Sequence, residues 1–208
     1  MHISDGILSA PVWVTGYIGT ALIATVTMRN LDMEEVPKIS VITSVFFIAS
    51  LIKVPMGPAS IHLILNGLVG VVLGWRAFVA IMLGIILQAI IFGHGGITVI
   101  GVNTLMMGGG ALIAYMVWQQ RHHFAFKRRE FVFGALAGAI GTISSGTILA
   151  LALITTGEAF NTMAETILIA HIPIMIIEAL VVGSSAEFLN KIKPDMLAGQ
   201  RKQIIPQG

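Results

Sequence analysis

The chain has 208 residues, 11% of them charged and 56% hydrophobic, with 12 Lys and Arg against 10 Asp and Glu. Ordinary soluble domains carry about 25% charged residues, so this composition, with a mean hydropathy of +0.91, reads as an integral membrane protein. The net charge of +2 is too small to argue for a nucleic-acid partner, and the absence of cysteine excludes disulfides, iron–sulfur clusters and thiolate metal sites.

A polar opening, residues 1–9, precedes a first apolar run from about Ala10 to Met28, the length of one membrane-crossing helix. A mixed-charge loop, Arg29 to Lys38, leads to a second run, about 39–54, which ends in the breaker Pro55-Met56-Gly57-Pro58. The third is expected over about 59–74. Trp75-Arg76 makes a tight turn, and the fourth follows over about 77–92. Gly93-His94-Gly95-Gly96-Ile97-Thr98 is too glycine-rich for a regular helix, and such backbone at membrane depth must be buried in protein or line a cavity. The remaining spans are expected at about 104–118, 131–155 and 165–189, with a basic loop, Gln119 to Glu130, after the fifth and a polar tail at the end. The expected fold is all-α, a single domain over 1–208 forming a bundle of seven transmembrane helices.

Lys and Arg are distributed unevenly among the loops. With the N-terminus outside and the C-terminus in the cytoplasm, Lys53 alone stays near the outer surface, and the other eleven basic residues face inward. An even number of spans breaks that agreement. The same orientation collects residues 1–9, 55–62 and 93–103 on the outer side.

Those three segments hold the chemistry. If Met1 is the mature end, its amine, the amide nitrogen of His2 and the His2 Nδ1 can close two fused chelate rings on one cation, leaving one equatorial place open. Such a planar nitrogen set suits Ni(II) or Cu(II) better than tetrahedral Zn(II). No Lys or Arg precedes Arg29, so the opening lacks the basic region of a secretory signal, and bulky His2 should discourage removal of Met1. The competing reading is an ordinary disordered terminus.

His62, one turn into the expected third span with Ser60 two residues before it, is the favoured distant imidazole, because ionisable groups in membrane helices are rare and by default functional. His94 and Asn103 flank the glycine-rich stretch and are expected to support a ligating ring more than to bind metal themselves. Asp5 with Gly6 reads as a turn, with a weaker role as acceptor for the His2 ring. His171 and Glu178, two helical turns apart on the last span, resemble an intramembrane proton relay or else form a packed polar pair. Small residues at Gly16, Thr20 and Ala24, at Gly67, Gly70 and Gly74, and at Gly134 and Gly138 allow close helix approach. Nucleotide-binding, zinc-protease and serine-hydrolase signatures are missing, so the chain is not read as an enzyme.

Met1-His2-Ile3-Ser4-Asp5-Gly6-Ile7-Leu8, Ser60-Ile61-His62-Leu63, Leu87-Gln88-Ala89, the Phe92 to Thr98 stretch and Gly101-Val102-Asn103-Thr104 together resemble the CbiM/NikM family, substrate-capture components of energy-coupling factor transporters for cobalt and nickel in prokaryotic cell membranes. Ser4 stands where the family usually has Pro. The resemblance covers nearly the whole chain. It implies a square-planar site of the Met1 amine, the His2 amide and ring, and the His62 ring. It also implies a transmembrane coupling protein, two ATPase subunits and often a small accessory membrane protein as partners, with Ni(II) or Co(II) as cargo and no organic cofactor. Nickel is preferred on the Irving–Williams order. A stand-alone proton-coupled carrier using His171 and Glu178 is the competing expectation.

Overall fold

The structure is a computed structural model that describes residues 2–51, 53–56 and 59–199, excluding the side chains of residues 2, 53–56 and 59–62. Seven α-helices are found among these residues: α1 (Ala10–Met28), α2 (Val36–Ala49), α3 (Asn66–Leu73), α4 (Ala77–Phe92), α5 (Ile100–Gln119), α6 (Arg129–Ile154) and α7 (Asn161–Ile192). Five segments are long and apolar enough to cross a membrane: 10–28, 66–92, 100–123, 129–154 and 158–192. Large apolar side chains face outward from them, as at Ile18, Leu22 and Val26 on α1 and Ile169, Ile172 and Ile176 on α7. In water such a surface would aggregate; against lipid it is the expected outer face. The protein is a multi-pass membrane protein.

The expected third span is corrected. Residues 59–62 are a strand, and α3 begins only at Asn66. Its eight residues rise about 12 Å, well short of the roughly 30 Å apolar core of a bilayer. A small antiparallel sheet, absent from the sequence reading, takes the place of the missing half: β1 (His2–Ile3), β2 (Lys53–Met56) and β3 (Ala59–His62), in the order β1-β3-β2. Thus Pro55 and Met56, expected in a breaker, lie in β2; Gly57 and Pro58 fall outside the described residues. Segment 63–65 runs from the sheet into α3 with Ile64 and Leu65 buried, so backbone without helical bonds lies inside the protein, where it must find other partners.

Helix α5 is the hub, packing on α1, α3, α4 and α6, while α7 packs chiefly on α6. It starts four residues earlier than expected and takes in Gly101, a weak helix former that lets α1 pack closely: a Cβ there would lie 2.6 Å from the Tyr17 nitrogen. The small-residue series do the same elsewhere. Gly16 lies against Val102, and the Thr20 hydroxyl donates to the Gly101 carbonyl at 2.7 Å. Gly67 meets Gly138, and Gly138 in turn meets the carbonyl of Glu178. These faces are therefore used in internal packing.

At the other end from the sheet, Arg76 in the α3–α4 turn donates to the carbonyls of Thr27, Arg29 and Asn30 and pairs with Glu35 at 2.9 Å. One guanidinium thereby closes the α1–α2 loop onto the bundle.

Candidate metal site

The sheet fixes the geometry of the N-terminal segment. His2 stands opposite Ser60 and Ile3 opposite Ala59, while His62 pairs with Lys53 on the other side of β3. In register, then, His2 is two positions from His62. Met1 and the side chains of His2, Ser60 and His62 lie outside what the structure describes. The backbone brings together the two histidine positions that the sequence singled out, although sixty residues separate them in the chain.

The segment is held from α5 and from the glycine-rich stretch. Ile3 is wholly buried. Its N–H donates to Asn103 Oδ1 at 2.9 Å, and its carbonyl accepts from Asn103 Nδ2 at 3.2 Å. The amide side chain thus answers both backbone polar groups of Ile3, the residue that follows His2. Gly95 (φ +78°) makes room for this clamp, since a Cβ there would sit 2.8 Å from Asn103 Nδ2. Gly96 (φ +106°) does the same for Asp5, whose carboxyl group would lie 2.6 Å from an added Cβ. The glycines of the Gly-His-Gly-Gly stretch thus serve left-handed backbone and, more specifically, let the N-terminal segment lie directly on them.

Asp5 and Gly6 form the expected turn. The partner found for Asp5 is the hydroxyl of Thr98, which donates to its Oδ1; sequence reading missed that residue. Tyr17 adds a further link by donating from its hydroxyl to the Ile97 carbonyl. His94 stacks on Phe92 with ring centroids 5.6 Å apart, and its backbone N–H caps α4 on the carbonyl of Gln88. Gln88 is wholly buried and donates to Ser50 at 2.6 Å, joining the end of α2 to α4 below the sheet. The motif around Gln88 was a signal in the sequence, but its polar link was not.

His171 and Glu178 are not brought together. The His171 Nδ1 bonds the Ile167 carbonyl of its own helix at 2.5 Å, and the ring packs on Gly146 of α6 beside a cavity of about 100 Å³. Glu178 is fully buried and turned toward the start of α3, where its Oε1 accepts from the N–H groups of Ile64 at 2.6 Å and Leu65 at 2.7 Å. This carboxyl group thus supplies the acceptor for two N–H groups of the bared backbone ahead of α3. Among the described residues no group of three or more His, Asp or Glu could hold a metal. The β1–β3 pairing, the glycines at 95 and 96 and Asn103 all converge on the N-terminal segment.

Comparison with known proteins places this arrangement. Residues 2–196 match the model of the CbiM family, described as the cobalt uptake substrate-specific transmembrane region. A Haemophilus influenzae chain named for metal transport is 34% identical over 200 residues, covering 95% of this chain and 97% of the relative. The fused nickel transport protein NikMN of Rhodobacter capsulatus is 28% identical across all of this chain and 67% of its own length. In fold, the crystal structure of a transition metal transporter superposes with a TM-score of 0.82 at 23% identity, covering 92% of this chain and 93% of the other. With the match running from β1 to the end of the last helix, the chain belongs to the CbiM family of metal-transport proteins.

Proposed function

We infer that the chain is the cation-capture subunit of an ATP-driven nickel or cobalt importer of a prokaryotic cell membrane. The observation that carries this reading is the β1–β3 pairing, which sets His2 across from Ser60 and two positions from His62. The site is the Met1 amine, the His2 amide and ring nitrogens, and the His62 ring, four nitrogens in a plane around one ion. Asn103 holds both backbone groups of Ile3 beside it, and Ser60, Asp5 and His94 are assigned supporting roles. In this reading seven spans put the N-terminal segment outside and the end of α7 in the cytoplasm, in line with the bias of Lys and Arg. The work of release falls to partners: a transmembrane coupling protein, two ATPases and a small accessory membrane protein. A relative in which the nickel transporter is a fusion longer than this chain supports association with further components.

Nickel is the first-choice cargo on the Irving–Williams order and on the preference of a d8 ion for in-plane amide nitrogen. The test is to add one residue ahead of Met1, or to acetylate the amine, and titrate the purified protein with Ni(II) and Co(II). Binding should be lost with the helical fold unchanged; full retention of affinity overturns the site. The alternative, a lone proton-coupled carrier built on His171 and Glu178, is less favoured, since His171 bonds the Ile167 carbonyl of its own helix while Glu178 accepts from the N–H groups of Ile64 and Leu65.

A further inference from the structure

Glu178 has an environment that ion binding at the outer face does not by itself require. Half-helix α3 starts inside the protein, and its N-terminal end, the positive end of its dipole, points at a carboxyl group from α7. In discontinuous membrane helices such an end commonly meets an anionic group of the substrate; here the chain supplies the group itself. One oxygen takes both N–H groups of the Ile64–Leu65 backbone, with Leu65 in left-handed conformation at φ +53°. Next in sequence, Asn66 donates to Ser145 Oγ at 2.7 Å, and Ser145 donates to the Gly141 carbonyl, which ties the same start to α6. Depth and rotation of α7 at this level are fixed separately: Gly138 lies where a Cβ would come within 2.6 Å of the Glu178 carbonyl, and Gly138 also touches Gly67. Three helices therefore converge on the residues that follow His62, and Glu178 holds the N–H groups of Ile64 and Leu65 just ahead of α3.

We propose that Glu178 is a positioning residue for the outer-face cation site, latching α7 to segment 63–65 and so setting where β3 presents His62. This rests on the ligand set proposed above. The latch acts through acceptor geometry. A side chain that keeps a carbonyl oxygen at Oε1 keeps the site, and one that withdraws it lets the segment shift while the helices stay packed through their glycines.

The test uses the full chain in detergent as wild type, Glu178→Gln, Glu178→Asp and Glu178→Ala. Each is titrated with NiCl₂ and CoCl₂ and followed by calorimetry, by the d–d absorption of the bound ion and by amide hydrogen exchange. Glu178→Gln should bind within about threefold of wild type, whereas Glu178→Ala should lose about tenfold or more, the range typical of groups that orient metal ligands. The Ile64 and Leu65 amides should exchange faster in Glu178→Ala alone of that pair. Glu178→Asp, shorter by one methylene, should fall between, and it carries the test if Glu178→Ala does not fold. Wild-type affinity and exchange in the shortened variants overturn the latch, as does a Gln variant as impaired as the Ala or Asp variant. A wild type that binds neither ion refutes the proposed function instead, and the latch is then judged on the exchange of Ile64 and Leu65 alone.

Discussion

Asn103 grips Ile3 at both ends of its peptide polarity, accepting from the N–H at 2.9 Å and donating to the carbonyl at 3.2 Å, across one hundred residues of sequence. No helix of the bundle otherwise bonds the N-terminal strand among the described side chains with both donor and acceptor. The segment is thus fixed in place one residue away from the proposed chelate.

Asn103→Ala should therefore weaken Ni(II) and Co(II) binding by about 10- to 100-fold, as for other groups that orient ligands, with little change in helical content. Asn103→Asp, which keeps the acceptor and loses the donor, should be milder. Calorimetric titration of the purified variants decides it; an unchanged dissociation constant in Asn103→Ala would show that β1 pairing alone holds the segment.

Gly96→Ala places a methyl group against the Asp5 carboxyl at a backbone φ of +106°. Backbone strain of that kind costs about 1–3 kcal/mol, and the simplest relief is for the 4–6 turn to lift off the glycine-rich stretch. Affinity should drop by roughly tenfold or more, and a thermal melt of the ion-free protein should move far less than one of the ion-loaded protein. Equal shifts in both melts would place the damage in the bundle.

Binding should also depend steeply on pH, and the sign follows from the ligands. A primary amine ordinarily titrates near 8 and an imidazole near 6.5, at about those values, and each must be deprotonated to bind, as must the amide nitrogen. Protons compete with the ion, so affinity is high above the amine's range and falls as pH drops through both ranges. Titrations at pH 5, 6.5 and 8 should show a monotonic loss toward acid; equal affinity at the two extremes contradicts an amine–imidazole site.

Much of the architecture was legible because apolar runs are long and punctuated. Helix α1 falls where composition puts it, between Ser9 with Pro11 in the first turn and the charged loop at Arg29, and α4 stops at Gly93, whose φ of +63° suits a helix end. The half-helix was not legible. Residues 59–74 are apolar enough for a span, and nothing local says that 59–62 pair with the start of the chain; that choice is made by distant backbone and by Glu178. For the same reason His171 and Glu178 were paired in the sequence reading: a spacing of seven gives a shared side of a helix, but not which neighbour each side chain meets. At the candidate site, Asn103 and the glycines were visible as an odd polar cluster in an apolar chain. Thr98 was not, since a hydroxyl near a turn has many other uses.

The small sheet ties together stretches that lie far apart in the chain. β3 pairs with β1 on one side and β2 on the other, and Asn103 of α5 bonds Ile3 from the bundle. Docking of the strand at residues 2–3 therefore waits until both β3 and α5 have been synthesised, which makes it a late step in the assembly of the fold.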